Sequence, residues 1–119
     1  MYNIILAAGN GKRFSKYKLP KPLLEVKKEP LIIRSANSLP KNNKFLFICK
    51  KQHILKYPYL KKKLINKFCD VKIITLSKTT KGQANTLLSA KKVINQNIPM
   101  IVTSTDFSFK FNNYKLKKY

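Results

Sequence analysis

The chain has 119 residues, 26 Lys plus Arg against 4 Asp plus Glu, a formal net charge of +22 and a hydrophobic fraction of 44%. That length admits one domain, and the apolar fraction is too high for a disordered polybasic tail or a fibrous or low-complexity chain. No apolar run approaches the roughly 20 residues of a bilayer-spanning helix, and no basic n-region, apolar h-region and cleavage site open the chain, so a soluble, unexported, cytoplasmic protein is expected.

Residues 2–8, YNIILAA, form an apolar run that ends in small residues and is followed at once by Gly9 and Gly11, the pattern of a buried parallel strand entering a tight loop. Residues 9–22 carry two glycines, two prolines and five Lys or Arg without periodicity, so they read as a long loop. Pro30 suits a first helical position with Glu29 beside the positive end of the dipole, and Leu31, Ile32, Ala36 and Leu39 then line one face of a short helix ending before Pro40.

Residues 44–49, KFLFIC, predict a second strand, followed by a polar turn and an amphipathic stretch that begins near Pro58. Residues 71–76 predict a third strand. Thr80 followed three positions later by Gln83 fits a capping box, and Ala84, Leu87, Leu88 and Ile94 supply the stripe of the helix it would open, closed by Asn97 and Pro99. Residues 100–103 make a fourth strand with Asp106 just beyond its end, and the alternating Phe107, Phe109, Phe111 and Tyr114 suggest a further strand or extended segment.

Strands alternating with helices over the whole length predict an α/β fold, a parallel sheet with right-handed crossovers. In such sheets ligands bind at the carboxyl ends of the strands, where the 9–22 loop, the Gly82 turn and Asp106 collect. Cys49 and Cys69 belong to no CxxC pair and lie beside apolar stretches, so two buried, reduced thiols are expected rather than a zinc site or a disulfide.

The excess of positive charge raises a nucleic-acid partner, because phosphates reward Lys and Arg at a surface. Only Arg13 and Arg34 of the 26 basic residues can form bidentate forks, and Lys61 to Lys63 fall opposite Leu60, Leu64 and Phe68, which recur at helical spacing. A solvated helix face is expected there, and no specific nucleic acid. A non-catalytic basic domain that binds RNA or another anion is the alternative reading of the whole chain.

Gly9-Asn10-Gly11 can expose backbone N–H groups to a phosphate, but neither a G-x-G-x-x-G fingerprint nor a G-x-x-x-x-G-K-[ST] loop is present. Arg13, and Lys21 held between Pro20 and Pro22, place two cations on the same loop, which is equipment for a triphosphate. Each of these residues has a plain structural explanation singly; together at one end of a sheet they favour a site.

The run Leu6-Ala7-Ala8-Gly9-Asn10-Gly11-Lys12-Arg13-Phe14, followed by Pro20-Lys21-Pro22-Leu23, resembles the opening of the nucleotidyltransferases that make nucleotide sugars. The segment from Thr80 to Ala90, TKGQANTLLSA, is similar to one in the subgroup associated with capsular and other surface polysaccharides, and Asp106 falls where the family has a strand-end Asp, although Ser104-Thr105-Asp106-Phe107 departs from the commoner N-S-D-Q or N-x-D form. The resemblance implies a GT-A-like, Rossmann-like three-layer sandwich with a mainly parallel sheet. It implies transfer of a nucleoside monophosphate from a nucleoside triphosphate to a sugar 1-phosphate, with Mg²⁺ and release of pyrophosphate.

Carried over residue by residue, the resemblance makes Leu6, Ala8, Gly9 and Gly11 nucleotide-binding. Arg13 and Lys21 become catalytic through the triphosphate, with Gly11 and Arg13 at the β- and γ-phosphates. Gly82 lies against the base where a side chain would collide, Gln83 lies near the base edge unless it only caps its helix, and Asp106 is the Mg²⁺ ligand. The family's enzymes are longer, so residues 1–119 correspond to the N-terminal, nucleotide-binding part and the sugar-binding half is absent. The expected chain is a short gene product, one piece of a split gene or a fragment, with a partner chain or a missing C-terminal half as the source of the rest.

Overall fold

A computed structural model describes residues 1–8, 19–78, 82–91, 94 and 97–105, with the Gln83 side chain left out. Four strands, β1 (Tyr2–Ala7), β4 (Lys44–Lys50), β5 (Val71–Leu76) and β6 (Met100–Ser104), form a sheet in the order β5-β4-β1-β6. Every pairing in it is parallel. A two-stranded antiparallel hairpin, β2 (Glu25–Val26) and β3 (Glu29–Pro30), stands apart. The helices are α1 (Leu31–Asn37), α2 (Lys51–Lys56), α3 (Pro58–Lys67) and α4 (Gln83–Leu88).

The alternation of side chains along β1 and β4 builds a core on each face of the sheet. Ile5, Ala7, Phe45, Phe47 and Cys49 meet Ile32, Ile33 and Ala36 of α1, Leu60 and Leu64 of α3, and Phe68. The Phe45 and Phe68 rings lie 4.5 Å apart. On the other face Ile4, Leu6, Ala8, Leu46 and Ile48 meet Ala90 and Ile94, with Leu87 of α4 packed against them. Helices on both faces make a three-layer, Rossmann-like α/β sandwich, as expected, and strands buried on both sides explain why β1 and β4 read as nearly continuous apolar runs. Asn3 is fully buried within β1 but satisfied, its amide donating to Pro40 O at 2.7 Å and its oxygen accepting from Asn43 Nδ2 at 3.0 Å.

The four strands agree with the sequence reading to within a residue at each end. The helices differ in several ways. Residues 51–56 form α2 rather than a polar turn, and none of its residues is buried, so no apolar stripe announces it. The helix expected to open on a Thr80 cap instead has Gly82 at its N-cap and Gln83 as its first residue, which puts Gln83 two positions too early for a capping box; Thr80 itself lies outside the described residues. That helix also ends at Leu88, with hydrogen-bonded turns to Ala90, Lys91 and Ile94, rather than running on to Asn97.

Pro30 closes β3 and caps α1 instead of starting it. Glu29 therefore lies on the hairpin, where Oε1 accepts from Asn37 Nδ2 at 2.6 Å and from Lys67 Nζ at 3.1 Å. The hairpin turn is made by Lys27 and Lys28, both left-handed at φ 53° and 66°. Cys69 is exposed, contrary to expectation, because it lies in the turn beyond α3 rather than in the strand that follows; both cysteines are free. The alternating aromatics at 107–114 lie outside the described residues.

Candidate functional site

The direction in which strands are added reverses at β1. From β1 the chain steps to β4 and on to β5 at one edge, then crosses the sheet to β6 on the other side of β1. The helices follow that reversal: α1 and α3 pack on one face, α4 on the other. The switch point therefore lies between β1 and β6, and open α/β sheets bind ligands outside the carboxyl ends of the strands at such a point.

Leu6, the penultimate residue of β1, is in register with Ser104 of β6 and Ile48 of β4. Leu6 and Ala8 are buried on the α4 face, and Ala8 leads directly to Gly9. On the opposite side Thr103, Ser104 and Thr105 are a run of buried polar residues that leads directly to Asp106. Ser35 Oγ, from α1, donates to Ser104 O at 2.8 Å. The chain segments that carry Gly9 and Asp106 thus leave the sheet from neighbouring strands.

Lys21 opens a 3₁₀ turn, Lys21–Leu23, between Pro20 and Pro22. Leu23 N donates to Pro20 O at 2.9 Å and Leu24 N to Lys21 O at 3.2 Å. Leu23, 1% exposed, is driven into the same cluster as Ile5 and Ala7 of β1 and Ile32 of α1. Two prolines and one buried leucine hence fix the Lys21 backbone against α1, over the core that α1 shares with β1, whereas Lys21 itself is half-buried.

Gly82 precedes α4, which packs through Leu87 on the cluster of Leu6 and Ala8. Thr86 is buried, and its amide and Oγ1 each lie 3.1 Å from Gly82 O, a double tie that fixes the turn. Gly82 has φ 163° and ψ 174°, extended backbone open to any residue, and a Cβ there would meet none of the described atoms within 4 Å. Backbone conformation and described packing make no demand for glycine at this position.

Two titratable side chains follow the carboxyl end of β4 or lie near it. Burial pushes the Cys49 thiol up to about 12, which leaves it inert as a nucleophile. His53 of α2 is held below its ordinary value of 6.5, first by burial and then by the neighbouring Lys50 ammonium, and its Nδ1 is buried with no hydrogen-bond partner among the described residues.

Leu6 and Ala8 thus lie at the carboxyl end of β1, the Lys21 turn sits on the core that includes Ile5 and Ala7, and Gly82 precedes the helix, opened by Gln83, that packs on the cluster of Leu6 and Ala8. Gly9, Gly11, Arg13, Asp106 and the Gln83 side chain lie outside the described residues. Among the described residues no three His, Cys, Asp or Glu side chains come together as a metal-binding group. Asp70 is remote from this end, its main-chain oxygen accepting from Phe45 N where β5 begins.

Residues 3–110 match the family described as the MobA-like NTP transferase domain. The chain belongs to that family. Among solved structures, this MobA-like NTP transferase domain is similar to the nucleoside-diphosphate-sugar pyrophosphorylase of Vibrio cholerae RC9, with 26% identity and a TM-score of 0.69 over 98% of this chain and 53% of that one. It shares its fold with a Bacillus anthracis protein assigned as a glucose-1-phosphate thymidylyltransferase, at 21% identity and a TM-score of 0.80 over 99% of this chain and 49% of that one. The inositol-1-phosphate CTP transferase of T. maritima shares it too, at 21% identity and a TM-score of 0.69 over 88% and 43%. The domain thus spans about half the length of the solved structures it matches. No curated protein matches it. Among the described residues no helix is long and apolar enough to cross a membrane.

Ser35 and Thr86 are the residues of this MobA-like domain that sequence reasoning missed. Each is a small hydroxyl on a helix face otherwise lined by apolar residues, and each is buried with its hydroxyl on a main-chain oxygen at the ligand end. A hydroxyl inside an apolar stripe was the available signal.

Proposed function

We propose that the chain is the nucleotide-binding half of an enzyme that transfers a nucleoside monophosphate from a nucleoside triphosphate to a sugar 1-phosphate and releases pyrophosphate. The observation that carries this reading is the ending of β1 and β6 side by side at the switch point, so that the segments bearing Gly9 to Arg13 and Asp106 start from one place. In support, Leu23 of the Lys21 turn belongs to the core cluster that includes Ile5 and Ala7 of β1.

In this reading the backbone around Gly9 and Gly11 meets the phosphates, Arg13 and Lys21 neutralise charge that builds as the acceptor phosphate oxygen attacks the α-phosphorus, and Leu6, Ala8, Gly82 and Gln83 hold the nucleoside. Asp106 would hold Mg²⁺, which when bound would neutralise phosphate charge. The TKGQANTLLSA segment supports a product used for capsular or other surface polysaccharide, made in the cytoplasm. The sugar-binding half comes from a partner chain or a C-terminal continuation.

The test is pyrophosphate release from a panel of nucleoside triphosphates and sugar 1-phosphates with Mg²⁺, using the chain joined to the remaining half. Release that depends on the sugar phosphate and falls at least 100-fold in Lys21→Ala and Asp106→Asn is expected. Release unchanged in both variants overturns the proposal.

A further inference from the structure

A second basic feature lies away from the switch point. The hairpin, α1 and α3 enclose an open cavity of about 560 Å³. Pro30 and Ile33, both buried, line it with apolar residues, and four exposed lysines, Lys28, Lys62, Lys63 and Lys67, line it as well. Leu6, Ala8, Lys21 and Gly82 are not among its lining residues.

The lysines of a single helix face share one element; here two separate elements bring lysines to the rim of one volume. Lys28 comes from the hairpin and the other three from α3, where Lys63 and Lys67 are one turn apart and repel. Lys63 Nζ stands 5.4 Å from the centroid of the Tyr59 ring, which also lines the cavity, and Lys67 pairs with Glu29, the cavity's single carboxylate. Lys28 and Lys62 have no such partner among the described residues. The net balance is therefore strongly positive.

Lys28 also stands at φ 66°, in a conformation that lysine seldom adopts, and so does its neighbour Lys27 at 53°. A turn of this kind is ordinarily built from Asn and Gly, and strained turns recur where chains clamp ligands. The volume is in the range of small-molecule pockets, roughly 300–1,000 Å³.

We propose that this cavity is a second anion site, which binds a small molecule bearing two or more phosphoryl groups. Lys28 and Lys62 are its principal ligands across the opening, Lys63 supports them from its place over Tyr59, and Pro30 and Ile33 accommodate an apolar body where the molecule has one. Compactness favours a small oligophosphate over nucleic acid, since an extended backbone calls for a track of cations rather than a ring of them.

The experiment is a titration of the full 119-residue chain with inorganic tripolyphosphate, followed by amide chemical shifts, with a nucleoside triphosphate in a parallel arm. Saturable shifts at Lys28, Ile33, Tyr59 and Asn66 are expected in the first arm. The Lys28→Gln/Lys62→Gln variant, altered only at exposed positions, should keep its melting temperature and bind at these amides at least tenfold more weakly, whereas Lys21→Ala should leave them unaffected. Stronger shifts there with the nucleoside triphosphate identify a nucleotide as the physiological class; equal shifts identify the oligophosphate alone. The proposal is overturned by the absence of saturation, by unchanged binding in the double variant, or by an oligo(A) RNA that perturbs the same amides at lower concentration.

Discussion

Ser35 Oγ donates a 2.8 Å hydrogen bond to the main-chain oxygen of Ser104, and both residues are buried. One bond thus ties α1, which follows the Lys21 turn, to the end of β6 that leads to Asp106. Ser35→Ala leaves a cavity no larger than a hydroxyl but removes the tie, and should cost roughly 1 kcal/mol of stability. Denaturant unfolding checks the cost, and hydrogen exchange should locate the loosening at residues 103–105 rather than at β4.

The turn of the hairpin offers the opposite effect. Lys27 occupies the first central position at φ 53°, which asparagine tolerates better than lysine. Lys27→Asn should raise stability by about 0.5 kcal/mol. A shift of the urea midpoint to higher concentration at unchanged slope is the expected reading.

The same hairpin shows where legibility ended. The four strands of the sheet, the parallel order and the gathering of the Lys21 turn and Gly82 at the strand ends follow from apolar runs, glycines and prolines whose effects are local. Lys-Lys carries no turn signature, so the hairpin was invisible, and α2 was invisible because none of its residues is fully buried and no apolar stripe marks it. The Thr80–Gln83 spacing suggested a cap, but the turn is held from inside the helix by Thr86, a tertiary choice that spacing cannot reveal. The bond from Ser35 to Ser104 joins residues far apart in sequence, and no local pattern announces it.

His53 gives the fold a dependence on pH. Its folded-state value lies below 6.5 because burial and Lys50 oppose the charged ring, so the unfolded chain binds the proton more readily. Its contribution to stability is complete above 6.5 and is lost as pH falls toward the folded value. Thermal unfolding should move to lower temperature between pH 7.5 and pH 5.5, and His53→Leu should flatten that trend.

The two thiols should separate cleanly. Cys49 is buried with its thiol near 12, and Cys69 is exposed. Iodoacetamide applied to the native chain at pH 8 should modify Cys69 alone, read by peptide mass, with Cys49 labelled only after unfolding. Equal labelling of both in the native state would place Cys49 outside the core.

The central claim is that the carboxyl end of β1, with Lys21 fixed beside it by Leu23, binds a nucleoside triphosphate. The most direct measurement is calorimetric titration of nucleoside triphosphates with Mg²⁺ into the wild-type chain and into Lys21→Ala, with melting temperatures to confirm that both are folded. A binding event that weakens at least tenfold in Lys21→Ala, at a melting temperature within about 2 °C of wild type, is the expected result. Triphosphate affinity equal in the two proteins would contradict it.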